Sequence, residues 1–356
     1  MKNTLFLLVC GTLLLSCSSS STQQTEQNPD VQGNPNPSSN EWSIPVSEVL
    51  DGGPGRDGIP ALENPNFVVA EDASAVLRDT DLVIGFKNGN DIRAYPHIIL
   101  DWHEIVNDNI DDISLAVTYC PLTGTGIGWN RIINGSETTF GVSGLLYQTN
   151  LVPFDRATLS NWSQILNESV NGNLLGEKAE LIPVVETDWG TWKSMFPSTK
   201  VLSLNTGFSR TYGIYPYRDY RTNNDFFIFP TPKDDRLPLK ERVHAIVDGG
   251  DAKAYRFADV ETSSVIRDSF NGKEYLVVGN SEFIISFELN GSQNTLEFEF
   301  NFDGNSEAIV QDTNGTQWNA FGEVISGSGS PLKVSSSFMG YWFSIPAFYE
   351  TALFGE

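Results

Sequence analysis

Cysteine is scarce in this sequence, and its scarcity excludes a fold held together by disulfide bonds. The chain of 356 residues contains three cysteines. Two of them, Cys10 and Cys17, lie close to the N-terminus, so Cys120 has no intramolecular partner in the rest of the chain. The folded part must therefore be stabilised by its core alone, and Cys120 remains as a lone thiol.

Basic residues are also few. The chain has 22 Lys and Arg residues against 45 Asp and Glu residues, a formal net charge of -23. Such an acidic protein is repelled by phosphate backbones, which argues against a nucleic-acid partner. The same charge prevents electrostatic binding to anionic lipid, so any membrane attachment needs another device. Aromatic residues make up 12% of the chain, enough for a substantial core.

The first residues predict an export signal of the lipoprotein type, covering 1–16. Lys2 supplies the positive end, and the apolar segment 4–15 is shorter than the roughly 20 residues of a membrane span. The ending, Leu-Leu-Ser-Cys, resembles the bacterial lipobox, which implies cleavage before Cys17 and its acylation, palmitate included. More than one acyl chain gives stable anchoring. The expected location is therefore the cell envelope, at the outer membrane; the alternative is an uncleaved anchor with a chance cysteine.

Residues 17–44 are rich in Ser, Gln, Asn and Pro, with almost no apolar side chain before Trp42. Such a composition cannot bury enough surface to offset the entropy of the chain. We therefore predict a flexible tether between the lipid on Cys17 and the folded part. No later stretch is long and apolar enough to cross a membrane.

An internal repeat organises the rest of the sequence. Residues 85–97 align with residues 245–257 at an offset of 160, and Tyr95 matches Tyr255. Further blocks follow in the same order at similar spacing, which makes coincidence between β-rich stretches less favoured. We predict two tandem related halves, a first half over residues 45–242 that carries the candidate site and a second, degenerate half over residues 243–356.

Each half is predicted to be mostly strand. Turn residues around Gly89 and Gly249 stand between apolar runs, as in hairpins, and the segments 114–120 and 274–280 are short and β-branched. The expected fold is α+β and β-dominated, two halves of mainly antiparallel sheet with short helices, packed together. The Tyr-rich segment 207–242 is predicted to be an ordered crossing between them.

Two helices are expected in the first half. One follows Asp188, and the other begins at Pro96 and runs for about three turns, through residue 108. In the helix that begins at Pro96, helical spacing places four polar side chains on one face, most simply a solvated one: His97, Asp101, Glu104 and Asp108.

Reactive side chains are confined to the first half. His103, Glu104 and Cys120 correspond, at the offset of 160, to Ser263, Ser264 and Asn280. A Cys–His pair can act as nucleophile and base. It can also hold one transition metal ion, with Glu104 or a water completing the shell. The plain alternative is a cysteine buried for packing, since cysteine is among the most often buried residues.

Several blocks occur in an order that resembles a known family. The segments are 57–62, 94–108, 118–126, 140–147 and 154–164. Together they resemble the bacterial domain of unknown function 3179 family over roughly residues 45–350. The resemblance implies a site and no established reaction. Besides His103, Glu104 and Cys120, it implies these binding positions: Asn107, Asp108, Ser143, Asp155, Arg156, Trp162 and Ser163.

One departure from the family pattern matters for chemistry. Family members often carry Cys-Pro-Leu-Cys, whereas this chain has Thr123 in place of the second cysteine. Thr123 cannot close a disulfide, which disfavours a dithiol redox reaction here.

Three functions remain open from the sequence. The first is a lipid-anchored envelope protein with a thiol or metal site at Cys120 and His103. The second is a non-catalytic lipoprotein that binds glycan or peptide through the aromatic residues of 207–229. The third is a scaffold of an envelope complex, with another envelope protein as its partner.

Overall fold

The strands and helices of the protein recur in the same order in two halves. Residues 41–356 are described here from a computed structural model. The predicted signal peptide, Cys17 and nearly all of the predicted tether lie outside these residues. Among residues 41–356, no helix is long and apolar enough to span a membrane.

The first half contains twenty α-helices and β-strands. They are β1 (Val49–Asp51), β2 (Leu62–Glu63), β3 (Phe67–Val69), α1 (Ala70–Ala73), β4 (Leu82–Asn88), β5 (Asp91–Pro96), α2 (His97–His103), β6 (Ile105–Ile110), β7 (Ile113–Cys120), β8 (Thr125–Asn130), β9 (Ile132–Ile133), β10 (Ser136–Glu137), β11 (Phe140–Tyr147), β12 (Asn150–Asp155), β13 (Asn161–Ser163), β14 (Glu168–Asn171), β15 (Leu181–Ile182), β16 (Val185–Asp188), α3 (Trp189–Met195) and β17 (Lys200–Leu202).

The second half follows the Tyr-rich segment. Its elements are β18 (Arg242–Asp248), β19 (Asp251–Arg256), α4 (Phe257–Thr262), β20 (Val265–Phe270), β21 (Lys273–Gly279), β22 (Ile284–Leu289), β23 (Phe298–Phe300), β24 (Ala308–Asp312), β25 (Gln317–Asn319), β26 (Val324–Ser326), β27 (Lys333–Val334), β28 (Ser337–Tyr341) and β29 (Glu350–Leu353). Short 3-10 turns cover Val46–Glu48, Gly291–Thr295 and Trp342–Ser344.

Each half forms three main sheets with matching strand orders. In the first half the orders are β16-β4-β5-β17-β3, β15-β8-β7-β6-β2 and β1-β11-β12-β13-β14. In the second half they are β28-β18-β19-β29, β20-β21-β22-β27 and β23-β24-β25-β26. Most neighbours are antiparallel, and β17 and β29 each join their sheet in parallel, beside β5 and β19. The predicted β-dominated α+β fold of two related halves is confirmed.

The halves share their cores. The largest apolar cluster combines Trp129 and Trp162 of the first half with Val243 and Phe343 of the second. Another cluster likewise combines residues of both halves, among them Trp192 from α3 and Trp318 from β25. Burial of large aromatic side chains contributes most of the apolar area in such cores, so each half stabilises the other.

The predicted hairpins and the helix after Asp188 are present. The turns at Gly89 and Gly249 join β4 to β5 and β18 to β19. Asp188 precedes α3 and its carboxylate accepts the Thr191 N–H at 2.7 Å, which caps a helix end that would otherwise leave donors unpaired.

The helix predicted through residue 108 is shorter than expected. α2 ends at His103 because Glu104 adopts a left-handed backbone, φ 59°, and the β-branched Ile105 and Val106 then pair with β7 as strand β6. Pro96 ends β5 and precedes the helix. A residue in the left-handed conformation ends a helix, and this conformation costs free energy when the residue is not glycine.

The solvated face predicted for this segment is wrong. All four of its side chains are buried, namely His97, Asp101, Glu104 and Asp108. The reason is that α2 contacts β4 and β5 of one sheet and β6 and β7 of another, so its polar side chains meet protein instead of solvent. Asp108, on β6, is compensated by ion pairing with Arg93 at 2.6 Å and by the Tyr95 hydroxyl at 2.7 Å.

Candidate active site around Glu104 and Cys120

The β7–β8 hairpin that carries Cys120 is longer than its counterpart in the second half. Cys120 pairs with Thr125 across a loop of residues 121–124. At the corresponding place the Asn280 N–H donates to the Phe283 carbonyl at 3.0 Å, which leaves only residues 281–282 in the loop. The first half has therefore gained two residues, as well as the thiol, at this hairpin.

A buried polar network lies behind the longer loop. The Asn150 side-chain amide donates to the Thr123 hydroxyl at 2.9 Å and to the side-chain carbonyl oxygen of Gln164 at 2.8 Å. The Gln164 amide in turn donates to the Thr118 hydroxyl at 3.0 Å, and the Thr125 hydroxyl donates to Gln164 at 2.8 Å. All five side chains are essentially unexposed. Fully satisfied networks of this kind fix one arrangement of the core.

The second half has apolar side chains where this network lies. Equivalent positions of the two halves follow from the strand register and from the two buried tryptophans, Trp162 and Trp318. The equivalent pairs are Thr118 with Val278, Thr125 with Phe283, and Gln164 with Ala320. This particular network is thus confined to the first half, which agrees with a site there.

Cys120 is buried and its thiol is neutral. The residue is 1% exposed, and its sulfur lies 3.8 Å from the Thr149 carbonyl oxygen. Burial, together with a smaller effect of the Glu104 carboxyl, raises the pKa of the Cys120 thiol to about 11. Because the nucleophile and the metal ligand is the thiolate, Cys120 in this state is not an activated nucleophile.

His103 uses both ring nitrogens away from Cys120. Nδ1 lies 2.7 Å from the Pro60 carbonyl oxygen, and Nε2 lies 2.7 Å from the Tyr212 hydroxyl. Burial lowers the pKa of His103, so the ring is neutral at pH 7. Within residues 41–356 no His103–Cys120 hydrogen bond forms, and no three His, Cys, Asp or Glu side chains cluster as metal ligands. The geometry therefore does not favour the Cys–His pair or its metal.

The structure instead brings Cys120 together with Glu104. The Glu104 side chain is buried, and the Tyr217 hydroxyl donates to its Oε1 at 3.4 Å. Burial, opposed by the Tyr217 hydrogen bond and aided by the nearby Asp101, raises the pKa of Glu104 to about 8. The left-handed backbone is held by the Glu104 N–H, which donates to Leu100 at 2.8 Å, and by its carbonyl, which accepts the Tyr119 N–H at 2.6 Å. Glu104 is therefore a fixed, mostly protonated carboxylic acid at neutral pH.

The Glu104 carboxyl borders a cavity of about 180 Å³. Most of the remaining lining is apolar, including Leu122, Val142 and Leu151. Phe229, together with Tyr217, closes it from the Tyr-rich segment. An apolar cavity with one oriented polar group is the usual form of a small-molecule site.

Two further polar groups near Cys120 have no hydrogen-bond partner within the described part of the chain. They are the Thr149 and Tyr220 hydroxyls, both fully buried. Thr149 also has φ 67°, a left-handed conformation that is a genuine outlier for a β-branched residue. Unpaired buried hydroxyls and backbone strain both cost free energy and recur at functional sites.

The positions implied by the family resemblance are engaged mainly in the fold. Asn107 donates to the Phe140 carbonyl at 2.8 Å and accepts the Phe140 N–H at 2.8 Å. The Ser143 hydroxyl donates to the Val152 carbonyl and accepts the Leu145 N–H at the bulge of β11. These contacts join β6 to β11 and β11 to β12.

The remaining positions behave in the same way. Asp155 accepts hydrogen bonds from Thr158 at 2.7 Å and from the Trp162 indole at 3.1 Å. Arg156 forms a two-pronged ion pair with Asp57 at 2.7 and 2.8 Å. The Ser163 hydroxyl accepts the N–H three residues later at 3.4 Å. None of these positions lines the Glu104 cavity.

Sequence reasoning missed the residues that complete the site. Tyr217 and Phe229 lie more than a hundred positions from Glu104, and only their membership of a Tyr-rich segment was a signal. Gln164 stands beside the noted Trp162, but an isolated glutamine carries no pattern. Thr149 has no sequence signal, since its importance comes from backbone conformation and burial.

Comparison with known proteins gives one match. A family model described as "Protein of unknown function (DUF3179)" matches residues 56–352. No curated protein and no solved structure matched the chain.

Proposed function

The chain belongs to the DUF3179 family, whose description assigns no activity, and we propose that its first half binds a small, largely apolar molecule through a hydrogen-bond acceptor. The observation that carries this proposal is the buried, protonated Glu104 on the wall of an apolar cavity of about 180 Å³. A protonated carboxyl donates a hydrogen bond, so the ligand group that faces it is a carbonyl or ether oxygen. The volume suits a substituted ring rather than a glycan or peptide.

Glu104 is also suited to proton transfer. A carboxyl with a pKa of about 8 holds its proton at neutral pH and loses it readily, as a general acid requires. The Tyr217 hydroxyl orients this carboxyl, and the neutral Cys120 thiol lies close enough for the two groups to interact electrostatically. A ligand that is transformed in this cavity would receive its proton from Glu104, whereas attack by Cys120 would first need removal of its own proton.

Probe binding at two pH values tests the proposal. Cyclohexanone, which has an apolar ring and one carbonyl acceptor, should bind the full-length protein about fivefold to tenfold more tightly at pH 6.5 than at pH 9.5, measured by ligand-observed NMR. Below pH 8 Glu104 donates to the carbonyl. Above it the ionised carboxylate cannot donate, and one hydrogen bond is lost.

Two controls make this result specific. Glu104→Gln keeps a neutral amide donor at both pH values, so its cyclohexanone affinity should not change with pH. Benzene has the ring without the acceptor, and its binding should be independent of pH in both proteins. Equal cyclohexanone affinity at the two pH values in the parent protein would reject Glu104 as the ligand's partner.

We further propose that the protein is lipid-anchored in the cell envelope through Cys17. Support comes from the apolar segment 4–15 and the Leu-Leu-Ser-Cys ending, followed by a polar tether. Cells that produce the protein with a clickable palmitate analogue should label it, and Cys17→Ser should abolish the label. Cys120→Ser is the matched control and should label fully. Labelling that survives Cys17→Ser would contradict the anchor.

The alternative functions have less support. A glycan-stacking surface needs exposed aromatic faces, but Tyr220 is fully buried, and the Tyr212, Tyr215 and Tyr217 hydroxyls bond inward. The scaffold role stays a prediction. No contact within residues 41–356 supports it more strongly than ligand binding in the cavity.

A further inference from the structure

A second cavity, of about 340 Å³, lies where the two halves and the Tyr-rich segment meet. α2 contributes His97 and Asp101, the second half contributes Arg242 and Tyr341, and the Tyr-rich segment contributes Arg221. None of these residues lines the cavity of Glu104. Clefts between packed units are a common place for ligand sites.

Basic side chains converge on this cavity although the protein is strongly acidic. The chain carries a net charge of -23, yet four cationic residues line this one space: Arg78, Arg221, Lys240 and Arg242. Such a local reversal of sign focuses a positive potential and concentrates small anions.

Three of these cations already make close ion pairs or hydrogen bonds, whereas the fourth has only a long ion pair. Arg242 forms an ion pair with Glu186, and Arg78 pairs with Asp81 at 2.7 Å. Lys240 donates to backbone carbonyls, the shortest contact being 2.6 Å to Tyr220. These three cations therefore stabilise the fold through contacts within the protein.

Arg221 is the exception. Its guanidinium lies 4.4 Å from the centre of the Tyr215 ring, and its nearest carboxylate is Asp101 at 3.9 Å. Among residues 41–356 it makes no hydrogen bond, so all five of its N–H donors are free. Its side chain is 47% exposed, which places the guanidinium at the mouth of the cavity.

Two buried polar atoms, on residues that line this cavity, also lack a hydrogen-bond partner among residues 41–356. His97 and Asp101 are each 4% exposed. Within the described residues, His97 Nε2 and Asp101 Oδ1 are inaccessible to solvent and make no hydrogen bond. His97 Nε2 lies 3.3 Å from the Glu186 carboxylate without hydrogen-bond geometry. Burial at such a site costs free energy unless something supplies the missing partner.

Two tyrosine hydroxyls complete the lining. Tyr119 and Tyr341 are 3% and 4% exposed. Neither hydroxyl hydrogen-bonds to the described part of the protein. Tyrosine hydroxyls and an arginine fork together form the usual donor set for a carboxylate.

We propose that this cavity between the halves binds a small organic carboxylate that carries a second polar group. Arg221 would hold the carboxylate through two parallel N–H donors, with the Tyr119 or Tyr341 hydroxyl as a third. The second polar group, such as a hydroxyl, would lie on the α2 side of the cavity, which His97 and Asp101 line. A single negative charge fits better than the double charge of phosphate, because Asp81 and Asp101 already line the cavity.

Calorimetric titration of the full-length protein tests the site, with lactate, acetate and inorganic phosphate as probes in a buffer without carboxylates. Lactate should bind most tightly, acetate more weakly because it lacks the hydroxyl, and phosphate least. Arg221→Met should weaken lactate binding at least tenfold, since a charge-assisted pair of hydrogen bonds is lost. Arg221 is half exposed, so this variant should fold.

Arg210→Met is the matched control, since Arg210 is an exposed arginine of the same segment that bonds only its neighbour's carbonyl, at 3.1 Å. It should bind lactate like the parent protein. Tyr341→Phe should weaken lactate binding severalfold without loss of fold. Saturating cyclohexanone should leave lactate binding unchanged, which separates this site from the cavity of Glu104. Absence of saturable lactate binding, unchanged binding in Arg221→Met, or tighter phosphate than lactate would overturn the assignment.

Discussion

Gln164→Leu is expected to lower the free energy of unfolding by about 3 to 5 kcal/mol, because it removes the centre of the buried network behind Cys120. The leucine would leave the Thr125 carbonyl without the amide that now donates to it at 3.1 Å. It would also remove the acceptor of one Asn150 N–H. Each orphaned buried group costs about 1 to 3 kcal/mol, and the hairpin that carries Cys120 would lose its support.

Urea unfolding followed by tryptophan fluorescence measures this loss. Gln311→Leu is the matched control, since Gln311 lies half-buried on β24 and its side chain reaches only surface partners, Glu299 at 3.3 Å and Gln317 at 3.5 Å. The control should change stability by no more than about 0.5 kcal/mol. A similar small change in Gln164→Leu would show that the network does not hold the loop.

Gly85→Ala is expected to cost about 3 kcal/mol, although it adds a single methyl group. A Cβ at Gly85 would lie 2.2 Å from ring atoms of Trp192. That ring is fully buried, packs against Phe196 and Phe321, and donates to the Thr199 hydroxyl at 3.0 Å, so it cannot move aside freely. Close approach of α3 to β4 therefore requires glycine at this position.

The second half supplies the comparison for this prediction. Ala245 occupies the position equivalent to Gly85, opposite Ala254 as Gly85 is opposite Ala94, and it is fully buried without difficulty. There a short 3-10 turn at Trp342–Ser344 follows β28 in place of α3. Ala245→Gly should cost only about 1 kcal/mol, and thermal unfolding of both variants checks the contrast. Equal stability of Gly85→Ala and the parent protein would contradict this account.

Local pattern was sufficient to predict most of the fold. The repeat at an offset of 160 and the β-branched runs, such as 114–120, specify strands whose partners are also close in sequence. The end of α2 was not predictable in this way, because the left-handed backbone of Glu104 is held by its N–H, which donates to the Leu100 carbonyl, and by its carbonyl, which accepts the Tyr119 N–H. The burial of its polar side chains was missed for the same reason, since it depends on the packing of sheets distant in sequence.

The candidate site was predictable only in part. The contrast between the halves identified Glu104 and Cys120, and the structure places Glu104 beside the end of β7 that carries Cys120. Their surroundings come from distant segments: Tyr217 closes one cavity, and Arg221 enters the other. The protonation of Glu104 and the neutrality of Cys120 follow from burial, which a single sequence does not show.

The burial of Cys120 has a consequence for how the chain acquires its structure. Oxidants and other thiols can reach this sulfur only while the chain is unfolded, because the folded protein leaves the residue 1% exposed. Folding and oxidation therefore compete for the same atom. Molecules that enclose the sulfur first are protected from further oxidation at that position, and a disulfide-linked dimer through Cys120 would mark molecules in which oxidation came before folding.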